Sequence, residues 1–242
     1  MREDSIANWL FSTLSVGNML DENVGLQDRI LLESIPSGDA YLKMIFKAMR
    51  ESRRMMVTYR RYGAASANLF SVAPYCVKLF KRRWYVLVRF DRPSYRNNGN
   101  GDKEALSVLS LDRIEAIELL QEKFTINPDF DAETFFGECF GIVVGDGTKA
   151  ERIVLRAYGL EPHYLCDLPL HHSQSEIGCT DEYTDFEFYM RPTSDFKANL
   201  MSRGEWLQVV SPEWLAEDIQ QWLQAAINRY KTAEKSEKSD EK

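Results

Sequence analysis

The spacing of apolar and polar positions changes character along the chain, and the changes divide it. From Ser5 to about residue 32 the apolar positions recur at helical spacing. Ser5 is placed to cap a run with Ile6, Trp9, Leu10 and Leu14 on one stripe, and a second segment follows around Leu26, Ile30 and Leu31. Ile35-Pro36-Ser37-Gly38-Asp39 interrupts the pattern, because proline disfavours helix at the residue before it, and Ser37 or Asp39 can cap a new helix. That helix is predicted from about Tyr41 to Arg53, with Leu42, Ile45, Phe46 and Met49 as its core stripe.

From Met55 the period becomes that of strands: Met55 to Arg61, Asn68 to Ala73, Tyr75 to Phe80, Arg83 to Phe90, Ala105 to Ser110 and Ile114 to Leu120. So many short strands in about sixty-five residues predict a small β-barrel. Residues 91 to 103, rich in Pro, Gly and Asn, form a long loop between two of them. After Asn127-Pro128-Asp129 the order changes again. A helix over Ala132 to Phe140 and a turn at Gly145-Asp146-Gly147 lead into strand Arg152 to Ala157, helix Glu161 to Asp167, strands near Ser173 to Ile177 and Thr184 to Arg191, helix Asp195 to Ser202 and strand Trp206 to Val210. That βαββαβ order is ferredoxin-like. A last helix runs from Pro212 to about Tyr230, and the charged tail after it, Lys231 to Lys242, lacks the apolar residues that would order it. The fold class is α+β, with boundaries at 1–53, 54–124, 125–230 and 231–242.

Within the strand region, Lys81 to Phe90 joins a basic cluster, two aromatics and an apolar run. Strand alternation sends Trp84, Val86, Val88 and Phe90 to a core face, and Arg83, Tyr85, Leu87 and Arg89 to the other. The second set is either an ordinary solvated face or a surface that holds an anion and stacks a base. Charge sharpens the choice. The chain carries a net −7, yet residues 43 to 113 hold 16 Lys+Arg against 5 Asp+Glu. One basic segment in an acidic protein points to an anionic partner, or to neutralisation by acidic surface of the same or another subunit.

An apolar fraction of 44% with 28% charged residues describes an ordinary globular chain. No apolar run is long enough to span a bilayer, and the acidic N-terminus is unlike a secretory signal, so a cytoplasmic protein is expected. The four cysteines have no CxxC spacing and the three histidines complete no metal set, so reduced thiols and no metal are expected. His171-His172-Ser173 brings a base beside a nucleophile, but no orienting acid or oxyanion site accompanies them, and a capping or interdomain role fits better. No phosphate loop is present, and neither catalysis nor a cofactor is expected.

A strand ending in Tyr59, the Val-Ala-Pro-Tyr segment at 72 to 75, Trp84-Tyr85-Val86 and Leu111-Asp112-Arg113-Ile114 stand in an order and spacing that resemble a WYL domain. Phe136-Gly137, the run from Pro169 to Gln174, Ser202-Arg203-Gly204 and Val210-Ser211-Pro212 are similar to the C-terminal extension that accompanies such domains. The resemblance implies an SH3-like or Sm-like barrel that senses a negatively charged ligand in bacterial transcriptional regulators, with single-stranded nucleic acid or a nucleotide as the favoured class. Apart from the resemblance, the stripes at Trp9, Leu10, Leu14 and Ile30 are more apolar than a short solvent-facing hairpin tolerates, so a homodimer is expected. Residues 5 to 53 look like the helical segment that lies after the family's winged helix-turn-helix, and no such reader is expected in this chain, hence no sequence-specific reading of duplex DNA. Many members carry extra arginines before the Asp-Arg-Ile motif, where this chain has Ser107 and Ser110.

The ligand-binding candidates are Tyr59, Lys78, Arg83, Tyr85, Arg89 and Arg113, which lie on or beside the barrel strands and combine cations with stacking rings. Arg113 has a structural alternative, a pair with Asp112 or a strand-end carbonyl. Arg53, Arg54, Arg60, Arg61, Lys81 and Arg82 either widen the positive field or simply face water. The alternative function is a dimerisation or protein-interaction module with no small ligand.

Overall fold

The computed structural model describes residues 38–90, 106–144 and 147–240. The helices expected before residue 37 and the loop at 91–103 lie outside the described residues, as do Gly145 and Asp146 of the expected turn. The described residues belong to one compact unit, Ser37–Lys242.

Helix α1 (Asp39–Glu51) starts after Gly38, whose backbone is left-handed at φ 104° and passes so close to Leu111 that a Cβ would come within 2.9 Å of that side chain. It ends at Ser52, also left-handed. Ile45 and Ala48 are buried, with Leu42 and Met49 packed beside them. Phe46, expected in the same stripe, is exposed instead. One step from Ile45 is about 100° of rotation, enough to carry it off the face that meets the sheet.

Five strands follow: β1 (Arg53–Tyr59), β2 (Asn68–Phe80), β3 (Arg83–Phe90), β4 (Leu106–Ser110) and β5 (Ile114–Lys123). They pair antiparallel in the order β4-β3-β2-β1-β5. The sheet is not a closed barrel. β4 and β5 lie on opposite edges, joined by the single 3-10 turn Leu111–Arg113. The two strands expected on either side of Pro74 are one strand with a register shift between Pro74 and Cys76, where Tyr75 is the extra residue, next to the proline that has no N–H to donate.

The core face of β3 is as the alternation predicts: Val86 and Val88 are buried with Met55, Val57, Val72 and Leu111, and Trp84 and Phe90 pack against them. The other face is neither solvated nor open. Tyr85 and Leu87 are buried too, and Leu87 is covered where the chain after β5 folds back over the sheet. Phe124, Phe130, Phe135 and Phe136 arrive there, and Tyr75 stacks on Phe124 at 6.2 Å and meets Phe130 edge-on at 4.9 Å. Helix α2 (Ala132–Phe136), capped by the Asp131 carboxylate on Thr134 N, is shorter than the 132–140 expected; Gly137 follows it, and Cys139 bridges to Arg191.

The remaining elements are β6 (Glu151–Tyr158), α3 (Glu161–Asp167), β7 (Ser175–Cys179), β8 (Tyr183–Met190), α4 (Ser194–Ser202), β9 (Leu207–Ser211) and α5 (Glu213–Asp240). Their sheet order β7-β8-β6-β9, all antiparallel, is the ferredoxin-like arrangement. Ile153, Leu155, Phe186, Phe188 and Met190 face Leu165, Phe196, Leu200 and Leu215 of the helices. α5 continues past Tyr230, where the apolar periodicity ends, through a run of Ala, Glu and Lys, which are strong helix formers.

The two sheets meet at one segment. Lys78 Nζ donates to the carbonyl of Gly141 at 2.6 Å, Phe80 meets Phe140 edge-on at 5.7 Å, and the Asp195 carboxylate accepts from Ile142 N and Val143 N at 2.8 and 3.2 Å. Gly141 is enclosed: a Cβ there would lie 2.4 Å from the Phe80 ring and 2.5 Å from Asp195 Oδ2.

Candidate ligand site

The turn Leu111–Arg113 builds the site. Leu111 is fully buried and pins the turn, and Arg60 N donates to the Arg113 carbonyl at 3.1 Å, fixing the turn to the end of β1. The Arg113 guanidinium then lies over two rings, Tyr59 at 5.3 Å and Tyr62 at 4.8 Å from the centroids. Its Nε is buried and has no hydrogen-bond partner among the described residues.

Arg83, at the start of β3, completes the corner. It donates to Asp112 and, at 2.9 Å, to Tyr62 Oη, and its guanidinium is 6.0 Å from the Tyr85 ring. Asp112 also accepts from the hydroxyl of the buried Ser110, whose N–H points to Tyr59 Oη at 3.4 Å. Burial by itself would lower the Arg83 pKa, but hydrogen bonds to Asp112 and Tyr62 outweigh it and hold the guanidinium charged. Burial would likewise raise Asp112; the Ser110 and Arg83 hydrogen bonds prevail, and the carboxyl stays below its usual range. Burial pushes the Tyr59 and Tyr85 phenols up, so both remain neutral. Two guanidinium groups, one carboxylate and three rings therefore share a corner with one excess positive charge. Tyr62 forms its outer wall, 73% exposed.

Four of the six expected residues, Tyr59, Arg83, Tyr85 and Arg113, meet here. Lys78 and Arg89 do not. Lys78 turns its ammonium to Gly141 O and over the Phe136 ring at 4.3 Å, and burial lowers its pKa. It lines a separate cavity of about 350 Å³ with Cys76, Phe136, Cys139, His171 and His172. Arg89 lies six residues along β3 from Arg83, roughly 20 Å at strand rise, and reaches Thr125 O at 3.4 Å and the Tyr75 ring at 5.6 Å. The partner of Asp112 is Arg83, not Arg113 as the adjacent sequence positions had it. Arg53 bonds Leu120 O and Leu119 O, and Arg60 bonds Glu115 and Ala65 O, so both tie down the sheet. Tyr62, Ser110 and Asp112 are additions. Tyr62 follows β1 in a turn with no periodic signal; its only mark in the sequence is its place after Arg60-Arg61.

His171 and Ser173 do come together, because they stand in a turn rather than on a strand. His171 Nε2 donates to Gly137 O at 2.8 Å, which leaves Nδ1 to accept from Ser173 N at 3.2 Å, with Ser173 Oγ at 2.7 Å. Ser173 Oγ also accepts from Tyr189 N at 2.9 Å. The pair latches the end of α2 to the ferredoxin-like sheet. Burial pushes Cys76 up to about 11, and all four cysteines are free. Among the described residues no cluster of three His, Cys, Asp or Glu is placed to hold a metal ion, and no helix is long and apolar enough to cross a membrane.

Residues 40–119 match the model of the WYL domain family. The match takes in α1 and the sheet as far as Leu119, and so the whole corner. No curated protein matched the chain. Solved structures similar to it include proteasome accessory factor B/C of Arthrobacter aurescens (16% identity, TM-score 0.32) and a CRISPR Cas-related protein (10% identity, TM-score 0.47). The alignments cover 83% and 79% of this chain, and the chain spans only 28% and 51% of those proteins.

Proposed function

We propose that this chain is the ligand-sensing part of a transcriptional regulator and works as a homodimer. In this reading its WYL domain binds a negatively charged ligand, single-stranded nucleic acid or a nucleotide, at the Arg83–Arg113 corner. The observation that carries the reading is Arg113, held between Tyr59 and Tyr62 with a buried donor that no described residue satisfies. A buried donor without a partner costs roughly 1–3 kcal/mol, and a phosphate oxygen supplies the missing acceptor while Tyr62 offers its ring to a base. The basic balance of the surrounding segment attracts such a ligand from a distance.

Fluorescence anisotropy with a labelled single-stranded oligonucleotide, with nucleotides as competitors, tests this. Arg113→Ala is expected to weaken binding of every sequence alike and to flatten the salt dependence by about one phosphate contact. Tyr62→Ala is expected to cost about 1–3 kcal/mol if a base rests on the ring. The alternative, a protein-interaction module without a small ligand, draws support from Lys78, Arg89 and Arg53, each of which donates to a main-chain carbonyl. It expects no anionic ligand to bind in a way that depends on Arg113, and that result would overturn the assignment.

A further inference from the structure

The surface of α5 carries a feature that the ligand corner does not explain. In its first turns Leu215 is buried, and Ala216 and Ile219 pack against the ferredoxin-like core. The same stripe continues at three- and four-residue spacing through Trp222, Leu223, Ala226, Ile227 and Tyr230. There it has left the core: Trp222 and Leu223 are 39% exposed, Ile227 46% and Tyr230 78%. Polar residues occupy the opposite side, where Gln224 Nε2 donates to Asn228 Oδ1 at 2.9 Å. Isolated apolar residues on a surface mean little, but a contiguous helical stripe that extends a core stripe marks an interface.

Charge decides what covers it. Asp218 and Arg229 are eleven residues apart, about three helical turns, so they flank the stripe on the same edge. Acid lies at the core end of the stripe and base at its far end. Two such helices side by side and parallel put these charges on opposite edges, where they do not pair; antiparallel, they set each acid against the other helix's base on one edge. We propose that α5 pairs antiparallel with α5 of a second copy of this chain. The two-fold axis crosses between Leu223 and Gln224, which brings Asp218 opposite Arg229 of the partner subunit twice over. The pairing rests on the reading of the chain as a dimer and gives that dimer its contact surface. The stripe from Ile219 to Tyr230 is about 18 Å long. One helix wide, it covers on the order of 200 Å², well short of the roughly 800 Å² per partner of a standard interface, so a weak, reversible dimer is expected.

Sedimentation velocity on the full chain from about 1 to 200 µM tests it. The unmodified protein is expected to dimerise, and Leu223→Glu with Ile227→Glu to weaken association by well over about tenfold while leaving oligonucleotide affinity unchanged. Arg229→Glu and Asp218→Arg are each expected to weaken association about tenfold, and their combination to restore it. Asp218 also holds Lys197 Nζ at 2.5 Å, so Asp218→Arg lowers the melting temperature by that route as well. Loss of the Lys197 contact has no means of producing rescue by Arg229→Glu, so absence of rescue overturns the antiparallel pairing. A Leu223→Glu/Ile227→Glu protein that still dimerises normally overturns this surface and leaves the dimer standing. An unmodified chain that stays monomeric at about 200 µM overturns both, and a lower melting temperature for the same double variant then means that residues of its own chain cover the stripe.

Discussion

Two cations of the five-stranded sheet and its turn sit on aromatic rings in opposite circumstances. Arg113 lies over Tyr59 and Tyr62 with a buried donor unmatched among the described residues; Lys78 lies over Phe136 with its ammonium on the Gly141 carbonyl. Both residues come from the same basic segment, and cation–π contact is common to the two. The difference is made by chain that arrives from elsewhere. At Lys78 a carbonyl from the segment between the sheets takes the charge, and the cation becomes a structural pin. At Arg113 no acceptor of the described residues reaches the guanidinium Nε, while Asp112, the nearest acid in sequence, is engaged by Arg83 and Ser110. A cation's availability to a ligand is thus set by what competes for its donors, not by its position on a strand.

The largest expected effect tests the junction side of that contrast. Gly141→Ala forces a methyl group against the Phe80 ring and the Asp195 carboxylate. It should cost about 3 kcal/mol by overpacking, a fall of roughly 6–12 °C in melting temperature for a domain of this size, with oligonucleotide affinity unchanged. Calorimetry and anisotropy on the same preparation check both halves. A fall under about 2 °C would mean that the segment does not clamp the two sheets.

Lys78→Met and Arg113→Ala sharpen the contrast directly. The first should lower stability by about 1–2 kcal/mol and leave affinity alone; the second should lower affinity about tenfold or more and leave the melting temperature nearly unchanged. If the two variants behave alike, the distinction between pin and ligand contact is lost.

The smallest effect is a pH dependence. Burial, followed by the neighbouring His172, lowers the His171 pKa below the ordinary 6.5, so the folded protein binds the proton less readily than the unfolded chain. The stability from neutral His171 is complete above that ordinary value and is lost as pH falls from about 6.5 towards the depressed folded value. Melting temperature should therefore decline on acidification below about pH 6.5, and less so in His171→Gln. In the Arg83–Arg113 corner burial keeps Tyr59 and Tyr85 neutral, and Ser110 and Arg83 keep Asp112 ionised. Affinity should stay flat over the same range. An affinity change that tracks the stability change would couple the two regions.

The elements were legible because their periods are local. Helix Glu161–Asp167 and strand Arg83–Phe90 fall where the pattern predicts, and so does the ferredoxin-like order, since each rests on the alternation of a few neighbouring residues. The cations and rings of the corner were legible as residue types for the same reason: Tyr59, Arg83, Tyr85 and Arg113 stand on or beside strands whose faces the alternation assigns. What covers each face was not. Leu87 is buried by phenylalanines from some forty residues later in the chain, and Lys78 and Arg89 are withdrawn from the corner by the carbonyls of Gly141 and Thr125. Phe46, placed in a core stripe by its spacing, is left out because the sheet beneath α1 meets only one side of the helix. By itself the sequence determined the periods, the order of elements and the concentration of positive charge. Only the tertiary structure decided that the sheet stays open, that Asp112 belongs to Arg83, and that Tyr62 comes to lie against Arg113. Those outcomes depend on contacts between residues far apart in the chain, where a single donor or acceptor arriving from a distance changes what a side chain is free to do.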